Sequence, residues 1–175
     1  MNDAPALLVE LNVPFQWRAD VLAVDGSAAI RSLQTAMLLG EKLPVVSDEM
    51  VGLELEMARL HQKTQLLIEL LALALQGHSG RPAAQAVSLS AEGCHWQADE
   101  ALAVGGRGSV ALWLHAAAPE PLLWPAEIMS CRIEGSRHAL HAVLLPLGEQ
   151  AQAALDRHVF LLHRRAIAEA RAQRS

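Results

Sequence analysis

The sequence predicts an α+β fold: a small antiparallel β-barrel with an inserted, long heptad-repeat helix that forms a coiled coil, and a second helix at the C-terminus. Three observations lead there. Apolar residues from Met50 to Ala74 alternate spacings of three and four. After Pro82 the pattern changes to short apolar runs divided by Gly and Pro. From Gly148 to about Arg174 a helical period returns, with Ala151, Leu155, Val159, Leu162 and Ala166 on one face.

Composition limits the function classes. A chain of 175 residues suits one domain with an elaboration. With 52% hydrophobic and 19% charged residues it can bury a sizeable core. A net charge of -5 gives no support for a nucleic-acid binder held by bulk positive charge. Leu and Ala supply most of the apolar mass, whereas Tyr is absent, so helices are favoured.

The first residues lack a basic n-region, so no secretory signal is expected. The most apolar stretch, Leu66 to Leu75, is interrupted by Glu69 and is too short for a membrane span. A cytoplasmic protein is the expectation. Cys94 and Cys131 make neither a CxxC pair nor a disulfide framework and are read as buried, reduced thiols.

Leu7 to Val13 suits a strand or an extended arm, continued by Pro14, Phe15 and Trp17. Asp25-Gly26-Ser27 marks a turn and a helix start. Ile30, Leu33, Met37 and Leu38 then define a short amphipathic helix that Gly40 and Pro44 close. Residues 1–46 are thus an N-terminal strand or arm and short helix packing on the barrel.

Residues 47–77 form the oligomerising helix. Met50, Leu53, Met57, Leu60, Thr64, Leu67, Leu71 and Ala74 keep a period of about 3.5 residues, which makes a narrow seam. Asp48 and Glu49 suit the first turn, and Gly77 suits the C-terminal stop. Ile68, Leu70 and Leu75 beside the seam, with Leu55, Leu66 and Leu73 beyond it, widen the apolar face past what one partner helix covers. Such a helix needs several neighbours, from other chains or from its own domain. Thr64 is a mildly polar register mark within it.

Residues 81–175 hold the barrel and its closing helix. Strands are expected at Gln85 to Ser90, Cys94 to Gln97, Ser109 to His115, Leu122 to Ile133 and His138 to Leu145. Gly105-Gly106-Arg107-Gly108 lacks the lysine and spacing of a phosphate-binding loop and reads as a hairpin turn. Trp96, Trp113 and Trp124 fall in strands, where they either stack on a ligand or pack inside the barrel.

Other chemistry is weakly signalled. His138 and His141 fall on opposite faces of a strand, so no metal is expected. Neither Cys94-His95 nor Asp156-Arg157-His158 combines a nucleophile, a base and an orienting group, so the chain reads as no enzyme. The five arginines of the last twenty residues complement the negative end of a helix.

The strand-turn Ser88-Leu89-Ser90-Ala91-Glu92-Gly93 resembles the Asp/Asn-x-Ser-x-x-Gly motif of PilZ domains, the receptors for the bacterial messenger cyclic di-GMP. The closing helix from Leu155 to Ala168 looks like that of the atypical, tetrameric PilZ branch, and the stretch from Leu60 resembles that branch's inserted heptad helix. The resemblance implies a PilZ-like barrel and a homotetramer joined by a four-stranded parallel coiled coil. It also implies a non-enzymatic role in which cyclic di-GMP is the one possible ligand and no cofactor is needed. The implied partner is an unknown protein in motility, pilus or virulence control.

PilZ domains hold their ligand with an Arg-x-x-x-Arg loop and with the second motif, which maps here onto Ser88, Ser90 and Gly93. Charge-assisted forks from paired arginines suit two phosphates. No two arginines of this chain lie four apart, and the loop before the motif supplies only Arg81. Arg164, Arg165 and, in the arm, Arg18 are the available substitutes, from the same or a neighbouring subunit. Ser88 replaces the expected acid or amide. At about 1.5–3 kcal/mol for each lost charged hydrogen bond, two losses weaken binding by roughly 10² to 10⁴-fold. The alternative reading is therefore a degenerate PilZ scaffold that works by protein–protein interaction alone.

Overall fold

The computed structural model describes residues 7–20, 23–40, 51–76 and 80–172. In chain order its elements are β1 (Val9–Arg18), α1 (Gly26–Leu39), α2 (Leu53–Gln76), β2 (Ala84–Leu89), β3 (Gly93–Ala98), β4 (Arg107–Leu112), β5 (Leu122–Glu134), β6 (Arg137–Leu144) and α3 (Glu149–Ala172). The strands close into an antiparallel barrel in the order β1-β2-β3-β6-β5-β4.

Closure depends on β1, the segment read from sequence as a strand or arm. Val9 to Pro14 pairs with β2, and Phe15 to Arg18 pairs with β4. The change of partner falls at Pro14, which has no N–H to donate. Its carbonyl accepts from the Trp113 amide at 3.1 Å, so the switch leaves that acceptor satisfied.

The Gly105-Gly106 turn is not a hairpin, contrary to the sequence reading. Its flanking strands, β3 and β4, are separated in the barrel by β6 and β5. Gly105 takes φ +80° and its amide donates to the Ile128 carbonyl, while the Ile128 amide donates to the Gly106 carbonyl. The turn thus sets the start of β4 beside β5. Pairing of β5 with β6 slips between Ile128 and Ser130, leaving Met129 as an extra, exposed bulge residue.

The core fills the barrel and continues under α1 and α3. Trp124, Leu89, Leu112, Ile128 and Leu140 are buried, with Leu33 from α1 and Leu155 from α3. Trp96 and Trp113 are buried as well; Trp96 packs on Phe15 at 4.9 Å between ring centroids. The Trp124 indole donates to the Leu145 carbonyl at 3.0 Å, which lets its polar end stay inside. Asp25 caps α1 by accepting from the Ser27 amide, and α1 packs along α3.

Among the described residues α2 has far less support: Ala58 is buried and Leu55, Gln65 and Ile68 are partly buried on one narrow face. No other element packs against it substantially, and Leu53, Met57, Leu60, Leu67 and Leu71 are all exposed. Thr64 is exposed too, its hydroxyl donating back to the Leu60 carbonyl at 2.9 Å. The helix starts at Leu53 instead of Ser47, because Gly52 takes φ +62° and its carbonyl accepts the first bond, from the Glu56 amide. Glu54 and Glu56 therefore occupy the first turn expected to hold Asp48 and Glu49. Asp48, Glu49, Met50 and Gly77 lie outside the described residues.

Candidate ligand-binding face

Strand register builds one continuous polar row across the outside of the barrel. Glu10 faces Ser88, Ser88 faces His95, His95 faces His141, and His141 faces Ser130. Directly opposed residues have Cβ atoms about 4.5–5.5 Å apart, so neighbouring side chains of the row stand within reach of one another. The Ser88 hydroxyl donates to Glu10 Oε1 at 2.7 Å. The His95 and His141 rings stack with centroids 4.2 Å apart and planes 7° from parallel. Burial lowers the pKa of His141 below the usual histidine range, and neighbouring His95 lowers it further.

The row lies in an open groove of about 600 Å³ that also meets Arg132 and Glu134. One arginine faces two carboxylates there, an unfavourable field for a ligand with two phosphates.

Ser90 and Gly93 build the corner at the end of this face. The Ser90 hydroxyl accepts from the Gly93 amide at 3.0 Å and the Glu92 amide at 3.2 Å, and the Ser90 amide donates to the Gly93 carbonyl. A side chain on Gly93 would put its Cβ 2.6 Å from the Ala142 carbonyl oxygen. Gln152 of α3 ties down the same turn by donating to the Ala91 carbonyl at 3.0 Å. Both motif residues thus have structural work that requires no ligand.

Arg81 sits elsewhere. Seven residues of mostly extended chain, roughly 20 Å, separate it from Ser88. Its guanidinium donates to the carbonyls of Ala116 and Ala118 and lies 5.8 Å from the centre of the Trp113 ring. It lines a second groove with Asn12 and His115. Burial lowers the Arg81 pKa, and Nε is buried with no partner among the described residues. Burial also lowers the pKa of His115, against the opposing charge of Glu69 from α2.

Arg164 and Arg165 lie beyond reach of the corner. Twelve residues of α3 separate Gln152 from Arg164, roughly 18 Å of helix. Arg164 lies over the Phe160 ring at 5.9 Å, and Arg165 reaches Gly40 at the C-terminal end of α1, where the helix dipole favours a cation. The structure brings Ser88, Ser90 and Gly93 together but gathers none of Arg81, Arg164 and Arg165 around them. The sequence sets His141 beside His138 and His95 beside Cys94, and only the register reveals that Glu10, His95 and His141 share one row.

Among the described residues no three His, Cys, Asp or Glu side chains are placed to hold a metal, and no helix is long and apolar enough to cross a membrane. Cys94 is buried, which pushes its thiol up to about 12, and Cys131 Sγ lies 3.8 Å from His138 Nδ1.

A family model described as an atypical PilZ domain, cyclic di-GMP receptor, matches residues 41–172. No curated protein matches the chain. The chain is similar to the crystal structure of a pathogenic protein from Xanthomonas campestris, described as a new tetrameric PilZ domain self-assembled via an unusual helical bundle. The two share 30% sequence identity at a TM-score of 0.76, over 95% of this chain and 90% of that one.

Proposed function

The chain belongs to the atypical PilZ domain family, and from that membership we propose that it is a non-enzymatic signalling module in which α2 joins four copies and the barrels engage other proteins. The observation that carries this reading is the bare seam of α2, with five large apolar residues exposed along it. Burying such a side chain gains about 1.5–3 kcal/mol, so a bundle gains on the order of 10 kcal/mol per chain before the cost of association. The Xanthomonas structure, self-assembled through helices, supports a tetramer made the same way. The partner is a protein of a motility, pilus or virulence pathway, met in the cytoplasm.

Of the two forms this module can take, a cyclic di-GMP receptor or a scaffold without the nucleotide, the geometry favours the scaffold. Arg81 is bound to Ala116 and Ala118, Ser90 and Gly93 are absorbed in a turn, and Ser88 is bound to Glu10. Calorimetric titration with cyclic di-GMP up to about 100 μM separates the forms. The scaffold gives no saturable heat, and a binding isotherm restores the receptor.

A further inference from the structure

We propose that His95 and His141 together form a two-histidine site for a borderline divalent transition ion, Zn²⁺ or Ni²⁺, on the outer face of the barrel. The site is independent of the nucleotide question and of assembly through α2.

Three features of the structure support it. The two residues are register partners on β3 and β6, so the backbone fixes their separation. Their ring centroids are 4.2 Å apart, so both imidazoles stand within reach of one ion. An ion that takes each imidazole nitrogen at about 2.0–2.1 Å needs its two donors roughly 3.4 Å apart with both lone pairs converging on it, so the two rings must turn out of the stack into other rotamers to hold it. Gly93 helps here: a Cβ on it would lie 3.2 Å from His141 Nε2, so its bare backbone leaves that nitrogen clear.

Second, neither imidazole hydrogen-bonds to any other group among the described residues, which leaves the ring nitrogens available. Third, Glu10 from β1 and Glu134 from β5 share the groove and oppose the single positive charge of Arg132 from β5. That balance, poor for a phosphate ligand, is favourable for a cation.

Because no third protein ligand converges, the ion keeps open positions for water or for a donor group from a bound protein. Imidazole pairs suit Zn²⁺ and Ni²⁺ better than Mg²⁺ or Ca²⁺, which prefer oxygen.

The test is calorimetric titration of the full chain with NiCl₂ and ZnCl₂ at about pH 7.5, on wild type and on His95→Gln, His141→Gln and His138→Gln. His95 is exposed, so its replacement leaves the fold intact, as circular dichroism will verify. We expect one ion per chain, at least about tenfold weaker binding in His95→Gln and His141→Gln, and no change in His138→Gln. Absence of binding to wild type at about 100 μM metal overturns the proposal. So does binding that survives both His95→Gln and His141→Gln, or binding that His138→Gln removes, which would place the ion at the Cys131–His138 pair instead.

Discussion

The Ser88 hydroxyl donates to the Glu10 carboxylate across 2.7 Å, joining β2 to β1 at the position where the PilZ motif carries an Asp or Asn. A carboxylate from the neighbouring strand already occupies the space in front of the motif. Ser88→Asp therefore sets two like charges directly opposite each other, which costs about 0.2–1 kcal/mol. We expect a lower melting temperature at low salt, recovery when Glu10→Gln is added, and no gain of cyclic di-GMP binding in either protein. A calorimetric isotherm with Ser88→Asp would mean that the missing acid alone had silenced the site.

Gly93→Ala tests the corner. The new Cβ would meet the Ala142 carbonyl oxygen at 2.6 Å, and because this atom is backbone, β3 and β6 must part. Overpacking of this kind costs about 1–3 kcal/mol, to be read from urea denaturation. An unchanged midpoint would show that the corner yields freely.

Arg81 is a structural residue on this account. Arg81→Ala removes hydrogen bonds to two carbonyls and the contact with Trp113, for a loss of roughly 1.5–3 kcal/mol. Arg81→Lys recovers only part of it, since one ammonium does not reproduce a planar fork. Denaturation midpoints that match wild type for both variants would contradict this role.

His158 makes stability depend on pH. It is 4% exposed, both ring nitrogens lack partners among the described residues, and burial, aided by the charge of Arg165, holds its pKa at about 4. The folded state keeps the ring neutral, whereas the unfolded chain takes a proton near pH 6.5. Between those values the unfolded state binds more protons, so stability is full above about pH 6.5 and falls as pH drops towards 4, by on the order of 3 kcal/mol. His158→Leu removes this slope and, by replacing unpaired buried polar atoms with apolar ones, stabilises the protein at pH 5. Equal pH slopes for the two proteins in chemical denaturation would contradict the assignment.

Much of the barrel is legible in the sequence because short apolar runs and Gly or Pro breaks are local signals. The strands expected from Gln85 to Leu145 lie within three residues of those observed. The closing helix likewise follows its own period. Gly105-Gly106 misleads because a glycine turn looks the same whether it joins neighbouring strands or crosses to a distant one. The start of α2 misleads for a related reason: the apolar spacing runs through Gly52, but its left-handed backbone ends the helix there. The polar row is the least legible feature. Glu10, Ser88, His95 and His141 come from four strands, and only long-range pairing aligns them.

The most direct test of the account is the mass in solution by multi-angle light scattering, for wild type and Leu67→Glu. Leu67 is exposed within the single chain, so the charge spares the subunit fold and strikes only the contact between copies. Wild type should scatter at about four times the 18.9 kDa of one chain, and Leu67→Glu as a folded monomer. A wild-type mass near 18.9 kDa, or a variant that assembles like wild type, would contradict assembly through α2.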